Sequence, residues 1–323
     1  MSRLQQILLA VLVVQIALIA VVFWPHPDRS AGGSFLPEMT VEDIQSLSLR
    51  DQDGNLSVLE RSGDGWVLAN GGNYPADAEK ITEALDKIIK VNRDRLITQT
   101  VSSHERLQVD PNNYMREIIL TLKNGTSYTF YLGSSPGTGS VHIRMAGEGE
   151  VYAGSLSAWE LLATASSWVD TAYITVPIEN ILTAKVENQS GVYEFFKDET
   201  GAWTMDGLGE NEKLLEASLT SILNRFGSFR FINPLSAEVK PEHGLTPPAA
   251  VLTFTALDSE GGEKTYVLQV GAKDEETNRY IVYAPDTGYV VKVNAVNVES
   301  IVNYTRDDFV TSVEEEAEPT PEE

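Results

Sequence analysis

The chain has 323 residues, a net charge of −23 and no cysteine. This acidity argues against nucleic acid or an anionic membrane surface as a partner, because like charges repel. The absence of cysteine excludes disulfides, thiolate metal sites and cysteine nucleophiles.

The amino-terminal stretch Ile7–Trp24 contains eighteen residues without a charge. As a helix it would be roughly 27 Å long, which is about the hydrocarbon thickness of a bilayer. It predicts one transmembrane helix that follows a short cytoplasmic head, residues 1–6, containing Arg3. This orientation places the body outside the cytoplasm, in the periplasm or at the cell surface. A cleaved signal peptide is the alternative, but the apolar run exceeds the usual core of about 7–15 residues.

Residues 25–37 are rich in proline, glycine and serine and predict a linker. A first folded unit is expected over residues 38–172. Its first strands are predicted at Ile44–Leu49, Leu56–Leu59 and Trp66–Leu68. Asp77 is the predicted N-cap of a helix. One face of this helix is apolar and consists of Ile81, Leu85, Ile88 and Ile89.

The clearest local signal is a hairpin centred on Asn124-Gly125, with alternating apolar residues before and after it. Asn-Gly in this position favours a two-residue type I′ turn, in which both central residues have positive φ. Further short strands are expected at Val141–Arg144 and Val151–Ala153. Ser155 is the predicted cap of a closing helix that includes Leu156, Trp159, Leu161 and Leu162.

The same pattern returns in the second half of the chain. Leu245 and Gly271 follow Leu107 and Gly133 at an offset of 138 residues. Trp203 likewise repeats Trp66, and the helix face of Leu215, Leu219, Ile222 and Leu223 repeats the first helix face. The sequence therefore predicts an α+β fold of two tandem repeats, each an antiparallel sheet packed with helices, with the second repeat over 173–311. The acidic residues 312–323 predict a disordered tail.

This layout resembles the family called domain of unknown function 4340. The residues that carry the resemblance are Gly65-Trp66 and Gly201-x-Trp203, Pro75-Ala76-Asp77, Gly244-Leu245-x-x-Pro248, Leu132-Gly133 and Val270-Gly271, and Arg279–Val282. In two copies, the likeness covers nearly all of 39–310. Two departures are Arg106 in place of glycine in the first copy and the missing Pro-Ala-Asp in the second. The resemblance implies a membrane-anchored envelope protein that accompanies ABC-type export or gliding-type components.

Each candidate site in the sequence also has a structural explanation. The loop Gly133–Ser140 looks like a phosphate cradle, but it lacks the Gly-Lys-Ser/Thr ending of one. Asp51-x-Asp53 hints at calcium, yet no bidentate glutamate follows at the required spacing. Trp66 and Trp203 could stack on a sugar, but their strand positions favour core packing. Metal-ligand spacing is absent among the four histidines, His26, His104, His142 and His243.

These patterns lead us to assign no catalytic, cofactor-binding or metal-binding residue and no cofactor. The expected function is that of a non-catalytic accessory or scaffold protein in a cell-envelope complex, such as an ABC-type transport or gliding-type system. Its expected partners are the membrane, through residues 7–24, and another envelope protein. The alternative is a ligand-binding module that holds a glycan or peptide in the groove between the repeats. An enzyme, such as a hydrolase, is a third hypothesis that converging carboxylates in a pocket would support.

Overall fold

The computed structural model describes residue 15 and residues 32–312. The predicted head (1–6), nearly all of the predicted transmembrane helix (7–24), most of the linker and residues 313–323 of the tail lie outside the described residues. Within the described part, none of the helices combines the length and the apolar character needed to cross a membrane.

Antiparallel sheets make up most of the described chain, together with three α-helices. The helices are α1 (Ala78–Ile89), α2 (Glu216–Gly227) and α3 (Ala295–Asn303). The strands of the first half are β1 (Ile44–Arg50), β2 (Leu56–Ser62), β3 (Gly65–Leu68), β4 (Tyr74–Ala76), β5 (Leu96–Thr98), β6 (Val109–Asp110), β7 (Asn113–Tyr114), β8 (Arg116–Leu122), β9 (Ser127–Leu132), β10 (Val141–Met145) and β11 (Val151–Gly154). Those of the second half are β12 (Ala172–Thr175), β13 (Ile181–Asn188), β14 (Gly191–Lys197), β15 (Trp203–Met205), β16 (Glu212–Leu214), β17 (Ser228–Arg230), β18 (Asn233–Ser236), β19 (Ala250–Leu257), β20 (Glu263–Asp274), β21 (Arg279–Ala284), β22 (Tyr289–Asn294) and β23 (Val310–Ser312).

The first sheet has nine strands in the order β4-β3-β2-β1-β8-β9-β10-β11-β5. Alternation along β1 and β8 buries Leu47, Leu49, Ile118 and Leu120 on one face, as a period of two requires. Helix α1 adds its own apolar face to the same core. The Asp77 side chain accepts a hydrogen bond from the Lys80 amide at 3.0 Å, which confirms the predicted N-cap.

The second sheet has eight strands in the order β15-β14-β13-β19-β20-β21-β22-β18. Each sheet has a central antiparallel pair formed by strands far apart in sequence, β1 with β8 and β13 with β19. On one side of this pair lie the strands that follow its first member, β2–β4 in the first sheet and β14–β15 in the second. On the other side lie the strands that follow its second member, β9–β11 in the first sheet and β20–β22 in the second. The far edge of each sheet is a strand from the segment between the two central strands, β5 in the first sheet and β18 in the second.

The two halves share one continuous hydrophobic core. At their junction the ring of Tyr74, in the edge strand β4, contacts Phe231 and Tyr289 from the second half. The hydroxyl of Tyr289 also donates to the carbonyl of Asn73 at 3.4 Å. We call the contact among Tyr74, Phe231 and Tyr289 the seam.

The folded body begins earlier than the sequence predicted. Phe35 and Leu36, which fall in the predicted linker, are each only 1% exposed. The Phe35 amide donates to the carbonyl of Val91 at 2.8 Å, and the Arg93 amide donates to Gly33 at 2.9 Å. The composition of residues 25–37 predicted a linker, and it gives no sign of the contacts that these two residues make with a distant segment of the chain.

The turn at Asn124-Gly125 has a different geometry from the predicted type I′. Only Gly125 has a positive φ, of 85°, and the Gly125 amide donates to the carbonyl of Leu122 at 2.9 Å. Lys123 and Asn124 are thus the central residues of an ordinary turn, and Gly125 supplies the left-handed step that follows. The hairpin was predicted correctly and its turn type was wrong.

The predicted closing helix after Ser155 is also wrong. A short 3-10 turn, Ala158–Glu160, replaces it, with Ser157 and Glu160 forming a capping box. Leu156 and Leu161 are buried as expected, but Trp159 is 75% exposed. A single turn cannot place residues i and i+3 on one buried face over several turns, so the tryptophan is left at the surface.

Candidate functional site

A polar cavity with a volume of about 320 Å³ lies between the two halves, next to the seam. We call it the cleft. Its first wall consists of the β1–β2 turn, Asn70 and the turn around Thr164, and its second wall consists of Asn233, Pro234 and Arg279. This volume lies at the lower end of the range of small-molecule sites, which is about 300–1,000 Å³.

Asp51 fixes the turn that forms the first wall. One carboxylate oxygen accepts the amides of Asp53 and Asn55 at 3.1 and 3.0 Å, and the other accepts the Asn55 side chain at 2.9 Å. Arg116 lies 3.4 Å from the same carboxylate, and both side chains are about nine-tenths buried. Arg116 also donates to the carbonyl of Leu161 at 2.7 Å. It therefore connects the β1–β2 turn to the segment that leads into the turn around Thr164, another part of the first wall.

Two further side chains make this wall rigid. The side chain of Asn70 accepts from the amide of Val58 at 3.0 Å and donates to the carbonyl of Leu56 at 2.8 Å. Its amide group thus makes the hydrogen bonds to the β2 backbone that a neighbouring strand would otherwise make. The buried hydroxyl of Ser57 donates to the carbonyl of Ala163 at 2.8 Å. The amide groups of Asn55 and Asn70 are therefore already used to hold the wall in place.

The second wall provides the positive charge of the cleft. Arg279 begins β21, where it lies opposite Asp274 of β20 and Asn294 of β22. Asp274 forms its ion pair with Lys292, at 3.4 Å, rather than with Arg279. The cleft thus combines the guanidinium of Arg279 with the exposed carboxylate of Asp53 and the side-chain amide of Asn233, which suits a small polar ligand carrying a carboxylate or hydroxyl groups.

The three described histidines are buried at separate places in the fold. The Nε2 of His104 lies 2.9 Å from the carbonyl of Gly149, and the Nδ1 of His243 accepts the amide of Lys240 at 3.0 Å. The Nδ1 of His142 lies 3.1 Å from the hydroxyl of Ser134. Burial lowers the pKa of His142 and of His243. His26 lies outside the described residues, and within 32–312 no three metal-ligating side chains come together.

The other candidates from the sequence also lie apart from one another. Trp66 is 3% exposed and packs under the guanidinium of Arg61, 4.7 Å from the ring centroid. Trp203 is half-buried, with the ammonium of Lys197 5.3 Å from its ring. Asp51 is engaged in its turn, and Asp53 lines the cleft. The loop Gly133–Ser140 joins β9 to β10 and borders a different cavity.

Several carboxylates have a pKa below the usual range, and each owes it to a turn or to an ion pair. The hydrogen bond from Arg306 lowers the pKa of Glu212 to about 2. Hydrogen bonds within turns lower the pKa of Asp43, Asp198 and Asp274. Their chemistry is that of ionised acceptors that stabilise local structure.

Arg279 and Asn233 were not predicted as site residues. Arg279 entered the sequence analysis only as the start of a strand motif, and Asn233 not at all. No local pattern could indicate them, because they meet the β1–β2 turn only through the docking of the two halves.

The fold and the cleft define a protein of paired antiparallel sheets with a polar cleft beside a shared core. The model of a family described as Domain of unknown function (DUF4340) matches residues 66–248, more than half of the chain, and the chain therefore belongs to this family. The match is single and runs from the first half into the second, a narrower range than the 39–310 expected from the resemblance. Neither the curated proteins nor the solved structures include a match.

Proposed function

We propose that this chain is a membrane-anchored, extracytoplasmic accessory or scaffold protein of a cell-envelope complex, such as an ABC-type transporter or gliding-type machinery. In this proposal it has no catalytic role. Its anchor is the uncharged segment 7–24, and its partner is another envelope protein. The family description names no function, so the support comes from the resemblance given above and from the geometry of the body.

The observation that carries the proposal is the rigid seam. Tyr74 packs edge-on against Tyr289 and Phe231 at centroid distances of 4.7 and 5.2 Å. The side chains on both sides of the seam belong to one core. A protein that closes around its ligand needs a hinge between its lobes, whereas a scaffold needs surfaces held at fixed positions. The shared core therefore favours the scaffold.

The second sheet offers an uncovered face to a protein partner. Val192 and Phe196 of β14 are 56% and 41% exposed on it, and we call this surface the open face. Beside them Lys185 forms ion pairs with Glu187 and Glu194 at 3.3 and 3.5 Å, so the charges there are already matched. On the first sheet, by contrast, Leu107 and Val109 pack over Tyr131 of β9 and Val151 of β11 and cover that part of the sheet.

Co-purification of the full-length protein from mild detergent tests the proposal. We expect a membrane protein partner to be retained by the parent chain and lost by the double variant Val192→Glu/Phe196→Glu. The matched control is Val239→Glu, which changes a residue 44% exposed elsewhere. Recovery of the chain alone, with no membrane partner under any mild condition, would contradict the scaffold role.

The orientation has its own test. A reporter that is active only outside the cytoplasm, fused after Glu323, should give signal. A reporter that is active only in the cytosol should give none. The opposite pattern would contradict the extracytoplasmic location of the body and, with it, the proposed envelope partner.

We also propose that the two halves are copies of one α+β unit, over 38–172 and 173–311. The similar strand orders of the two sheets support this, as do two similar glycine contacts. A Cβ on Gly133 would lie 2.0 Å from the carbonyl oxygen of Leu107, and one on Gly271 would lie 2.2 Å from that of His243. If the halves are copies, an alignment of many family members should show the two glycines recurring together. Independent variation of the two positions would contradict a duplication.

A second candidate function is a ligand-binding module that holds a glycan or peptide in the cleft, and Arg279 is the observation that favours it. A thermal-shift screen against envelope glycan fragments and short peptides should then raise the melting temperature of the parent protein. The variant Arg279→Gln should respond less. Flat melting temperatures across the screen would exclude this candidate.

A further inference from the structure

Trp159 is the most exposed large apolar side chain of the described residues, at 75%, and it borders a cavity of about 190 Å³. The cavity lies where β9 joins β10 and has no lining residue in common with the cleft. Its other wall is the loop Gly133–Ser140. An exposed indole beside a cavity offers an apolar surface the size of one ring to a ligand.

The backbone of the turn that carries Trp159 is held by hydrogen bonds and an ion pair. The amide of Trp159 donates to the hydroxyl of Ser157 at 3.3 Å, and the amide of Ser157 donates to the carboxylate of Glu160 at 3.2 Å. Glu160 also forms an ion pair with Lys87 of α1. Because the turn is fixed from both sides, binding to the Trp159 ring requires no ordering of the backbone.

The opposite wall is polar and carries no charge. The hydroxyl of Ser135 lies 2.6 and 2.8 Å from the carbonyls of Gly137 and Ser140 and braces the loop. Thr138 and Gly139 are exposed at its tip, and nothing lies within 4 Å of the position that a Cβ would take at Gly139. Their peptide groups and the threonine hydroxyl are therefore open to a ligand. None of the residues that line the cavity has an ionisable side chain.

We propose that this cavity binds one ring of a neutral saccharide, with the ring stacked on Trp159. A pyranose has an apolar face that suits the indole and a rim of hydroxyls that suits peptide groups and serine or threonine hydroxyls. A charged ligand is disfavoured because no counter-charge lines the cavity. A lipid or an amphipathic helix needs a contiguous apolar patch, and none of the other exposed large apolar side chains borders this cavity.

The equivalent place in the second half serves as an internal comparison. The segment after Gly271 continues as strand β20 and carries Lys273, which forms ion pairs with Glu275 and Glu299 at 3.6 and 2.8 Å. Val296, 70% exposed, lies near the position that corresponds to Trp159 along the chain. The second half thus has an exposed apolar residue but no aromatic platform and no uncharged loop, so the saccharide site belongs to the first half alone.

Fluorescence titration of the full-length protein tests this proposal. The probes are cellotriose, maltotriose and triacetylchitotriose, in a detergent without a sugar headgroup. Acrylamide quenching reports the exposure of the five tryptophans, and Trp159→Phe identifies the part that belongs to Trp159. We expect at least one trisaccharide to protect Trp159 from quenching in a saturable way, with a dissociation constant near or below about 1 mM. Isothermal titration calorimetry, which does not need the indole as a reporter, should show binding weakened at least about tenfold by Trp159→Ala and less by Trp159→Phe.

Two further variants complete the test. Thr138→Arg places a long side chain at the mouth of the cavity and should also abolish protection, whereas the control Val296→Ala should bind like the parent. Unchanged melting temperatures identify variants that still fold. The proposal is overturned if none of the trisaccharides gives a saturable change up to about 10 mM. It is equally overturned if binding survives in both Trp159→Ala and Thr138→Arg.

Discussion

The ring of Tyr74 meets that of Tyr289 at a centroid distance of 4.7 Å and an interplanar angle of 61°, although 215 positions separate the two residues in the chain. Each ring comes from a different sheet, so their contact joins the two halves. The edge-to-face geometry places the positive edge of one ring against the negative face of the other, which stabilises such pairs. Burial also raises the pKa of Tyr74, since the phenolate would be poorly solvated at this junction.

Replacement of Tyr74 by alanine should destabilise the whole body by about 2–4 kcal/mol, because the seam belongs to the shared core. Tyr74→Phe keeps the ring and should cost about 1 kcal/mol or less. Urea unfolding measures both. In a double-mutant cycle, Tyr74→Ala and Tyr289→Ala should show a coupling of about 0.5–1.5 kcal/mol. Strict additivity would mean that the two rings do not interact in solution.

Alanine at Gly133 or Gly271 should cost about 3 kcal/mol or more at each position. The new methyl group would lie 2.0 Å or 2.2 Å from a carbonyl oxygen of the main chain, which cannot move without breaking the fold. Gly137→Ala is the matched control, since nothing lies within 4 Å of its Cβ position and the change should stay within about 0.5 kcal/mol. Chemical denaturation of the three variants tests the pair. An unchanged free energy of unfolding in both glycine variants would show that the segments containing Leu107 and His243 can move to make room for the methyl group.

Asp51→Ala should destabilise the protein by about 3–5 kcal/mol, because it leaves Arg116 without its carboxylate in a site where the arginine side chain is only 11% exposed. The same change removes the acceptor that holds the β1–β2 turn at the cleft. Asp53→Ala, an exposed change in the same turn, should stay within about 0.5 kcal/mol. Thermal unfolding distinguishes them. Equal effects of the two changes would contradict the role given to Asp51.

Tyr173 should make the protein sensitive to alkaline pH. Burial raises its pKa from 10.0 to about 12, and its hydroxyl accepts the amide of Ala284 at 2.8 Å and donates to the carbonyl of Tyr289. A raised pKa in the folded state gives stability that is complete below pH 10 and is lost between about pH 10 and pH 12. By about pH 11 the loss from this residue should be about 1.4 kcal/mol.

Tyr173→Phe provides the control for this alkaline effect. Near neutral pH it should be about 1–3 kcal/mol less stable than the parent, because the amide of Ala284 loses its acceptor. Above pH 10 the two stability curves should converge, since the phenylalanine variant has no hydroxyl to ionise at this position. Curves that stay parallel up to pH 12 would show that Tyr173 does not carry the effect.

Glu212 should make the protein sensitive to acid. The side chain of Arg306 donates to Glu212 through two nitrogens, one of them at 2.8 Å, and lowers the pKa of the carboxyl from 4.5 to about 2. A lowered pKa gives stability that is present above pH 4.5 and is lost as the pH falls from there towards 2. Glu212→Gln should flatten the stability curve in this window, and Glu210→Gln, at an exposed neighbour, should not. Acid titration followed by circular dichroism measures the slopes.

Sequence patterns predicted the local elements well where one segment supplies the signal by itself. The helix α1 follows from Asp77 and from apolar residues on one face, and the β8–β9 hairpin follows from alternation around Asn124-Gly125. The end of the linker was wrong, because Phe35 packs against Phe130 and Tyr152, which lie far along the chain. The closing helix was wrong as well, because Ser157 and Glu160 cap a single turn before the chain reaches the core.

The sequence by itself determined the secondary structure of most strands and of two helices, because hydrophobic periodicity, caps and turn residues act within a few positions of each other. Only the tertiary structure decided that β1 pairs with β8, that Tyr74 meets Tyr289, and that Arg279 faces the β1–β2 turn across a cleft. It also decided that Trp159 stands in solvent. These relationships depend on contacts between residues that are dozens to hundreds of positions apart in the chain, and no local sequence pattern contains that information.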